Sequence, residues 1–465
     1  MGLWFYSDEE SCIRITKMNT KEYLQKVKSK EVSVVKTVEK ILQEAKNSPN
    51  HFTVISKSYA LEQAEKIEKN PQGNLAGLPV SIKDCICVKN LESAAGSEIL
   101  KGYRPPFNAT VIEKLEKEGA IIIGKTSQDE FGFGGFSVNT KKIPKNPYDL
   151  TRSCGGSSGG AAGFAAFTKS PHIALGESTG GSIANPASFC GVAGLTPTYG
   201  LVSRYGLIDY ANSLDKIGTI GKSVHDVFLG LYSILGPDEK DSTSLPNRIS
   251  QEKKVKKIAI IKGSLDVDKE IKDIILSKVK NYDIISLPLI KKYSVPTYYL
   301  ISLSEASTNL AKYCGLRYGS TLPLKGNFDE FFSTVRSKFF SQESKRRIIL
   351  GTFARMSGFR DAFYLKALKV RTLIINEYKK AFKKYDVLIS PTMPIIAPKF
   401  EEIKKLTPLE NYMMDILTVG PNLAGLPHLS INAGFKEKMP VGIMLISNHL
   451  EEEKLRTLGE EIERN

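Results

Sequence analysis

The amino-acid sequence predicts a layered α/β protein. Short apolar runs of strand length alternate with longer segments in which apolar residues recur every three or four positions, a pattern typical of a sheet packed against helices. The chain has 465 residues, 41% of them hydrophobic, which is enough for a large core. No apolar run approaches the roughly 20 residues of a membrane helix, and the first ten residues lack the pattern of a signal peptide. We therefore expect a protein without a membrane segment.

The first half of the chain predicts helices at its start and a sheet core behind them. Residues 19–70 have helical periodicity and few breakers. Behind them we expect strands at 77–82, 120–123 and 172–175, with helices at 110–118 and 224–235. Gly236-Pro237 ends the last of these helices.

The second half continues the alternation after a polar stretch. Residues 238–256 are polar and charged and predict a surface connection. The following segments predict strands at 258–261, 386–390, 428–431 and 441–446, a long helical region at 298–384 and a C-terminal helix. We interpret 1–465 as one domain, divided into an extension (1–18), N-terminal helices (19–70), a core (71–235), the connection (238–256) and a second part of the sheet (257–465).

The charge and the cysteines limit the function classes. Lys and Arg number 65 against 50 Asp and Glu, a formal charge of +15. This charge fits attraction to a polyanion such as RNA, but the spread of the lysines through the chain favours the alternative, a lysine-rich chain with solvated faces. The six cysteines have no zinc, haem or disulfide spacing. We expect no metal in this chain and a cytoplasmic location, an organelle being the alternative.

Two short motifs match functions that their context contradicts. Residues 119–126 satisfy the phosphate-loop pattern G-x4-G-K-[ST], but the four intervening residues are Ala-Ile-Ile-Ile and predict a strand rather than a loop. Residues 155–159 satisfy G-x-S-x-G, but turn-like residues precede them instead of an apolar strand, and none of the five histidines has a catalytic context.

The glycine-serine clusters at 153–160 and 176–182 predict a serine nucleophile. Glycines let the backbone approach a ligand closely, and their N–H groups can hold an oxyanion. Without a histidine, the candidate base is Lys83, which ends the apolar segment 78–82 and can act if burial keeps it neutral. The alternative, weighed evenly from the residues alone, is a lysine at a strand end paired with Asp84.

Three segments in order resemble the amidase signature family: Lys83-Asp84, Gly155 to Gly160, and Thr179 to Ile183 followed by Pro186-Ala187. The resemblance implies a mixed central β-sheet covered by helices on both faces. It also implies a nucleophile at Ser182, a bridging Ser157 held by a cis peptide bond, Lys83 as a base that is neutral at rest, and an oxyanion hole in the N–H groups of Thr179, Gly180, Gly181 and Ser182. The family usually has Asp and Arg where this chain has Ser178 and Ala184, and losing both leaves no orphan charge.

Segments in the second half, among them 304–311, 346–353 and 422–427, resemble one branch of the family, the glutaminase subunits of tRNA-dependent amidotransferases. This resemblance implies that Arg347 holds the α-carboxylate of glutamine, that Asp415 holds its α-ammonium, and that Tyr298, or Tyr299 in the alternative register, is a further contact. From the residues alone, the favoured interpretation of Arg347 is a helix-surface cation beside Arg346, and that of Asp415 is a solvated carboxylate.

The same branch implies partners. A B subunit would bind tRNA and use ATP and Mg²⁺, a small C subunit would clamp the two, and the product would be amidated Glu-tRNA(Gln), Asp-tRNA(Asn) or both. This chain itself would need no cofactor. The alternatives are a stand-alone amidase acting on another amide and a catalytically weak scaffold in a tRNA complex.

Overall fold

The computed structural model describes residues 18–246 and 249–464. The helices in chain order are α1 (Thr20–Lys28), α2 (Val34–Asn47), α3 (Lys57–Lys69), α4 (Thr110–Lys117), α5 (Gly159–Phe167), α6 (Ala184–Cys190), α7 (Val224–Ile234), α8 (Lys269–Ser277), α9 (Pro288–Asn309), α10 (Phe328–Phe339), α11 (Gln342–Arg355), α12 (Lys366–Phe382), α13 (Phe400–Ile403), α14 (Pro408–Met413), α15 (Val419–Leu423) and α16 (Glu452–Arg464). Short 3-10 turns lie at Glu98–Leu100, Glu130–Gly132, Lys262–Leu265, Leu310–Lys312 and Met414–Leu417, and a π-helical turn at Asp361–Leu365.

Several helices begin where a polar side chain satisfies the free N–H groups of the first turn. Asn19 accepts from the N–H of Glu22, whose side chain accepts from the N–H of Asn19, a capping box that fixes the start of α1. Ser33 and Ser223 cap α2 and α7 in the simpler way. These starts are encoded locally, by the side chain that precedes the first turn.

A single mixed sheet of 11 strands forms the centre of the described chain. Its strands are β1 (Phe52–Ile55), β2 (Pro79–Lys83), β3 (Ile121–Thr126), β6 (Ile173–Ser178), β7 (Ala193–Thr196), β8 (Lys216–Gly221), β9 (Ile258–Ile261), β10 (Tyr282–Ile285), β11 (Val387–Pro391), β12 (His428–Lys436) and β13 (Met439–Ser447), and a separate hairpin pairs β4 (Lys145–Asn146) with β5 (Asp149–Ser153). The strand order across the sheet is β1-β3-β2-β6-β8-β7-β12-β13-β11-β9-β10.

The sheet contains two groups of parallel strands with a run of antiparallel pairs between them. Strand β2 runs parallel to both β3 and β6, and β9 runs parallel to both β10 and β11. The strands between these two groups pair antiparallel. Every residue of β2, β3, β6, β8 and β11 is buried. Because neighbouring residues of a strand point to opposite faces, the middle of the sheet is covered on both sides, as expected.

Most predicted elements are confirmed, and two segments need correction. The helical region predicted at 298–384 starts earlier, at Pro288, and is interrupted between Lys312 and Phe328. The segment predicted as N-terminal helices (19–70) contains α1, α2 and α3, but it also contains β1, which pairs antiparallel with β3 at the sheet edge. Four residues are too few for periodicity to separate a strand from a helix. The connection 238–256 has neither helix nor strand in its described residues, and its residues 247–248, like the extension 1–17, lie outside the described part.

The phosphate-loop match at 119–126 lies in a strand, as predicted. Residues Ile121–Thr126 form β3. The Lys125 ammonium is buried and donates to the carbonyls of Asp84 and Ile86 and to the hydroxyl of Ser93. These partners use all three of its hydrogens, so Lys125 has a structural role.

Helix α11 approaches α9 closely at a glycine. A Cβ on Gly351 would lie 1.9 Å from the carbonyl oxygen of Leu303, a backbone atom that cannot move alone. No larger residue fits this crossing without shifting the two helices. The contact matters for the site because α9 carries Tyr298 and α11 carries Arg347.

We therefore expect Gly351→Ala to lower the free energy of unfolding by about 1–3 kcal/mol, the usual cost of overpacking. The measurement is the midpoint of thermal unfolding. Gly263→Ala is the matched control, because its Cβ would meet only the flexible side chain of Lys291. Equal midpoints for the two variants would contradict this account of the crossing.

Strand β8 begins with a buried cation. The Lys216 ammonium donates to the carbonyl of Leu426 at 3.0 Å. Burial lowers the pKa of Lys216 to about 7, while the nearby carboxyl of Glu452 partly opposes this shift. The unfolded chain holds this proton up to the ordinary lysine pKa of about 10.4. The burial cost is therefore present in full below pH 7 and shrinks as pH rises above it.

Replacing this lysine with an apolar side chain should remove that pH dependence. We expect Lys216→Met to be more stable than the wild type at pH 6, with a smaller difference at pH 9, because the wild type has by then lost much of the buried charge. Urea unfolding at the two pH values measures the difference. A gap that widens as pH rises would show that Lys216 is stabilised as an ammonium.

Candidate active site

Three parallel strands bring the candidate residues to one edge of the sheet. Strands β3, β2 and β6 lie side by side, so their carboxyl ends meet at the same edge. Lys83 is the last residue of β2, and β6 ends at Ser178, directly before the loop that carries Ser182. Polar residues at this edge are positioned by rigid elements rather than by flexible loops.

Lys83 is buried and its amine has three partners. Its Nζ lies 2.8 Å from Ser157 Oγ, 2.9 Å from the carbonyl oxygen of Glu177 and 2.8 Å from Glu177 Oε2. The sequence alternative, a pair with Asp84, is wrong, because the Asp84 carboxylate instead accepts from the N–H of Gly96 and the hydroxyl of Thr53. The expectation of a neutral Lys83 remains a prediction, and the carboxyl that bonds its amine is that of Glu177.

Ser157 lies in the glycine-rich turn that leads into α5. The peptide bond between Gly156 and Ser157 is cis, as the resemblance implied. The turn contacts the second glycine-serine loop, since the N–H of Ser158 donates to the carbonyl of Ser182 at 3.2 Å. The hydroxyls of Ser157 and Ser182 make no direct hydrogen bond to each other in this structure. The structure thus joins Lys83 to Ser157 directly and brings Ser182 alongside through the backbone.

Ser182 is buried, but it is less completely buried than Ser157 and Lys83. Its exposed fraction is 8%, against 0% for Ser157 and Lys83. Within the described residues, the N–H groups of Gly180, Gly181 and Ser182 donate to no protein acceptor. Free N–H groups beside a serine hydroxyl are what an oxyanion hole requires. A role in catalysis remains a prediction.

Two carboxyls that the sequence did not single out lie behind Lys83. The hydroxyl of Thr179 is 2.8 Å from Glu177 Oε1 and 2.8 Å from Asp215 Oδ1. Asp215 Oδ2 also accepts from the N–H groups of Tyr210 and Ala211, each at 2.9 Å. Burial first, and the nearby Glu177 second, raise the pKa of Asp215 well above its usual range.

A third buried carboxyl, that of Asp129, supports the turn around Ser157. Its oxygens accept from the N–H groups of Ser137 and Asn139 at 2.8 and 2.9 Å, and its own N–H donates to the carbonyl of Ser157. Burial raises the pKa of Asp129 to about 7, although these N–H donors oppose the shift. Asp129 therefore fixes the loop that holds Ser157.

Arg347 is buried, so the interpretation as a helix-surface cation is wrong; the exposed position belongs to its neighbour Arg346. The Nε of Arg347 donates to Glu343 Oε1 and the Nη1 of Arg347 donates to the hydroxyl of Tyr210, both at 2.7 Å. The guanidinium also lies over aromatic rings, those of Phe133, Tyr210, Tyr299 and Tyr412. Its Nη2 makes no hydrogen bond within the described residues.

Asp415 is half-buried, so it is not a fully solvated carboxylate. Its Oδ2 accepts from the hydroxyl of Tyr299 at 2.6 Å. Burial raises the pKa of Asp415, and the Tyr299 hydroxyl and Arg347 oppose this shift. Gly135 lies close to both Asp415 and α6, the helix that follows the loop carrying Ser182. Its carbonyl accepts from Asn185 of α6, and a Cβ built on Gly135 would lie 3.7 Å from Asp415 Oδ1.

The two tyrosine alternatives both lie at the site, with different contacts. Tyr299 is the residue that bonds Asp415. Tyr298 packs on the loop that carries Ser182, where a Cβ on Gly180 would lie 2.6 Å from the Oη of Tyr298. Glycine at position 180 is what allows this close contact.

The two departures from the family pattern leave no unpaired charge, as expected. Ala184 is buried, and the hydroxyl of Ser178 has no hydrogen-bond partner in the described residues. The carboxyl in this part of β6 is Glu177, one position earlier, and it faces Lys83. The sequence analysis missed Glu177, although an ionisable residue in an otherwise apolar strand is a signal that could have indicated it.

The sheet and its two glycine-serine loops place the chain in a class of enzymes that act on amide C–N bonds. A family model described as Amidase matches residues 33–455. The chain belongs to this family.

Three similar proteins match almost the whole of this chain. The A subunit of glutamyl-tRNA(Gln) amidotransferase from Archaeoglobus fulgidus is 43% identical over 453 residues, which are 95% of this chain and 98% of that protein. The protein of the same name from Sulfurihydrogenibium sp. is 44% identical over 471 residues, covering 95% of this chain and 96% of that protein. The crystal structure of the corresponding protein from Thermotoga maritima has a TM-score of 0.77 at 33% identity, covering 97% of this chain and 95% of that one.

Among the described residues, no helix combines the length and the apolarity that crossing a bilayer requires.

Proposed function

We propose that this chain is the glutaminase subunit of a tRNA-dependent amidotransferase. The observation that carries the proposal is the buried contact of Lys83 with Ser157, beside the hydroxyl of Ser182 and the free N–H groups of its loop. The full-length relatives, each named as the A subunit of glutamyl-tRNA(Gln) amidotransferase, support the choice of reaction.

The chemistry is acyl transfer in two steps. The oxygen of Ser182 attacks the side-chain amide carbon of glutamine while its proton passes through Ser157 to Lys83, and the carbonyl electrons move onto the oxygen held by the N–H groups of residues 180–182. The C–N bond then breaks, a proton returns from Lys83 through Ser157 to the leaving nitrogen, and ammonia departs. Water hydrolyses the ester to glutamate by the same proton path.

Opposite charges near this site suit the two ends of free glutamine. The free Nη2 of Arg347 is available to the α-carboxylate, and Oδ1 of Asp415 to the α-ammonium. Charge-assisted bonds of this kind are strong and select by geometry. Tyr298 and Tyr299 would border the bound substrate.

The released ammonia would serve a partner. A B subunit would bind tRNA and use ATP and Mg²⁺ to activate the mischarged Glu or Asp, and a small C subunit would hold the complex together. In this proposal the chain itself binds no cofactor and acts in the cytoplasm. Co-purification of the tagged chain with two such subunits is the direct test of the assembly.

Removing the nucleophile should abolish ammonia release. We expect Ser182→Ala, assayed with its partner subunits, to lower the rate of glutamine hydrolysis by about 10³-fold or more, as when a nucleophile of this type is lost. Ser233→Ala is the control: its hydroxyl donates to Leu229 in a helix distant in sequence from the site, and its rate should equal that of the wild type. Unchanged ammonia release from Ser182→Ala would overturn the proposal.

Changing the cation should weaken glutamine binding more than turnover. Arg347→Lys cannot contact Glu343, Tyr210 and a carboxylate together, because lysine lacks the planar fork of donors. Loss of one charge-assisted bond raises the KM for glutamine by about 10- to 100-fold. Arg346→Lys, on the same helix but exposed, should leave KM unchanged, and equal KM values for the two variants would remove Arg347 from the binding site.

A further inference from the structure

Glu177 occupies the two sides of the Lys83 amine that do not face Ser157. The nitrogen has three partners, and two of them, the backbone carbonyl at 2.9 Å and carboxyl Oε2 at 2.8 Å, belong to Glu177. A neutral amine has two N–H donors and one lone pair. If both donors point to Glu177, the lone pair points to the third partner, Ser157 Oγ at 2.8 Å. This is the orientation in which the hydroxyl of Ser157 donates to Lys83.

The contacts of Thr179 set the charge of the carboxyls behind this amine. Its hydroxyl oxygen is 2.8 Å from a carboxyl oxygen of Glu177 and 2.8 Å from one of Asp215, a normal hydrogen-bond distance in both cases. The hydroxyl has a single hydrogen and can donate to only one of them. The other carboxyl must donate to Thr179, so one proton is shared in the set and its two carboxyls carry one negative charge.

Asp215 is the better holder of that proton. Its Oδ2 accepts the N–H groups of Tyr210 and Ala211, the second of which is shared with Oδ1 at 3.0 Å, and Oδ1 is the oxygen that can carry a hydrogen toward Thr179. Its raised pKa agrees with this assignment. The negative charge then lies on Glu177, next to Lys83.

We propose that Glu177 is a positioning residue for the reaction: it orients the lone pair of Lys83 toward Ser157, and its single negative charge stabilises the ammonium that forms when Lys83 accepts the proton. This inference rests on the proposed function of Ser182, Ser157 and Lys83. One O–H bond of Ser157 breaks, one N–H bond of Lys83 forms, and Ser157 regains a proton from Ser182. The charge of the new ammonium is balanced by Glu177 while the oxyanion is held by the loop N–H groups.

The other titratable groups around this set are few. The Cys85 thiol, next but one to Lys83 in the chain, is kept protonated by burial, which raises its pKa. The charges of Lys83 and Arg347 oppose the rise in the pKa of Asp129, and the charge of Asp209 contributes to the raised pKa of Asp215. All of them remain in a Glu177 variant, so a change in pH dependence on substitution at 177 reports on the removed carboxylate.

The test is the pH profile of covalent labelling of Ser182 by a fluorophosphonate, which needs no partner subunit. In Glu177→Gln the amide oxygen still accepts an N–H of Lys83, but the negative charge is gone. The ammonium is then less stable, so the acid limb of the profile should move to lower pH by about one unit or more. A weaker base also removes the Ser157 proton less well, so the plateau rate should fall by about tenfold.

Two further variants distinguish an effect of the lost carboxylate charge from a general structural effect of substituting a buried residue. Glu177→Asp keeps the charge one methylene further away, so its limb should be displaced in the same direction by less; it replaces Glu177→Gln if that variant does not fold. Glu452→Gln is the matched control, because Glu452 is also a buried carboxyl that accepts a threonine hydroxyl, that of Thr198. Its profile should match that of the wild type.

The outcomes are distinct. A limb that stays in place, or moves to higher pH, in Glu177→Gln overturns the role of Glu177 while wild-type labelling at Ser182 leaves the proposed function intact. Absence of wild-type labelling at Ser182, read by mass spectrometry, overturns the proposed function and this inference with it.

Discussion

The burial of the Lys83 amine is the constraint on which the site depends. A lysine removed from water at the end of a sheet strand is stable only if its nitrogen finds partners inside the protein. Here those partners are Ser157 and the two oxygens of Glu177, so the same contacts that make the burial possible also place the candidate base against the bridging serine. Stability and chemistry share one set of hydrogen bonds.

The parallel group β3-β2-β6 makes this set possible. Its carboxyl ends present Lys83, the Asp129 region and the Ser182 loop at one edge, on backbones that are buried on both faces. Two glycines then allow close packing around the site. Gly180 admits the ring of Tyr298, and Gly351 lets α11 cross α9 near contact distance. The guanidinium of Arg347 is thereby buried among aromatic rings. Its stacking on these rings and its ion pair with Glu343 offset the loss of its hydration.

The chain differs from the family pattern in where it keeps charge. The usual acidic and basic positions are Ser178 and Ala184, while an acidic residue stands at 177. Because successive strand residues point to opposite faces, a shift of one position moves a carboxylate from one face of β6 to the other. On this face it meets Lys83 and, through Thr179, Asp215. The Thr179 hydroxyl then limits the charge of the two carboxyls, which lets a buried acidic pair exist beside a lysine.

The sequence by itself determined the alternation of strands and helices and the Lys83, Ser157 and Ser182 segments, because these are local patterns of periodicity and glycine spacing. It could not place β1, since four residues carry too little periodicity and only pairing with β3 decides their state. It also could not separate a surface Arg347 from a buried one, or give Glu177 and Asp215 a role. Those outcomes depend on contacts between residues 38 to 137 positions apart in the chain, such as Glu177 with Asp215 through Thr179 and Arg347 with Tyr210, and only the tertiary structure brings such residues together.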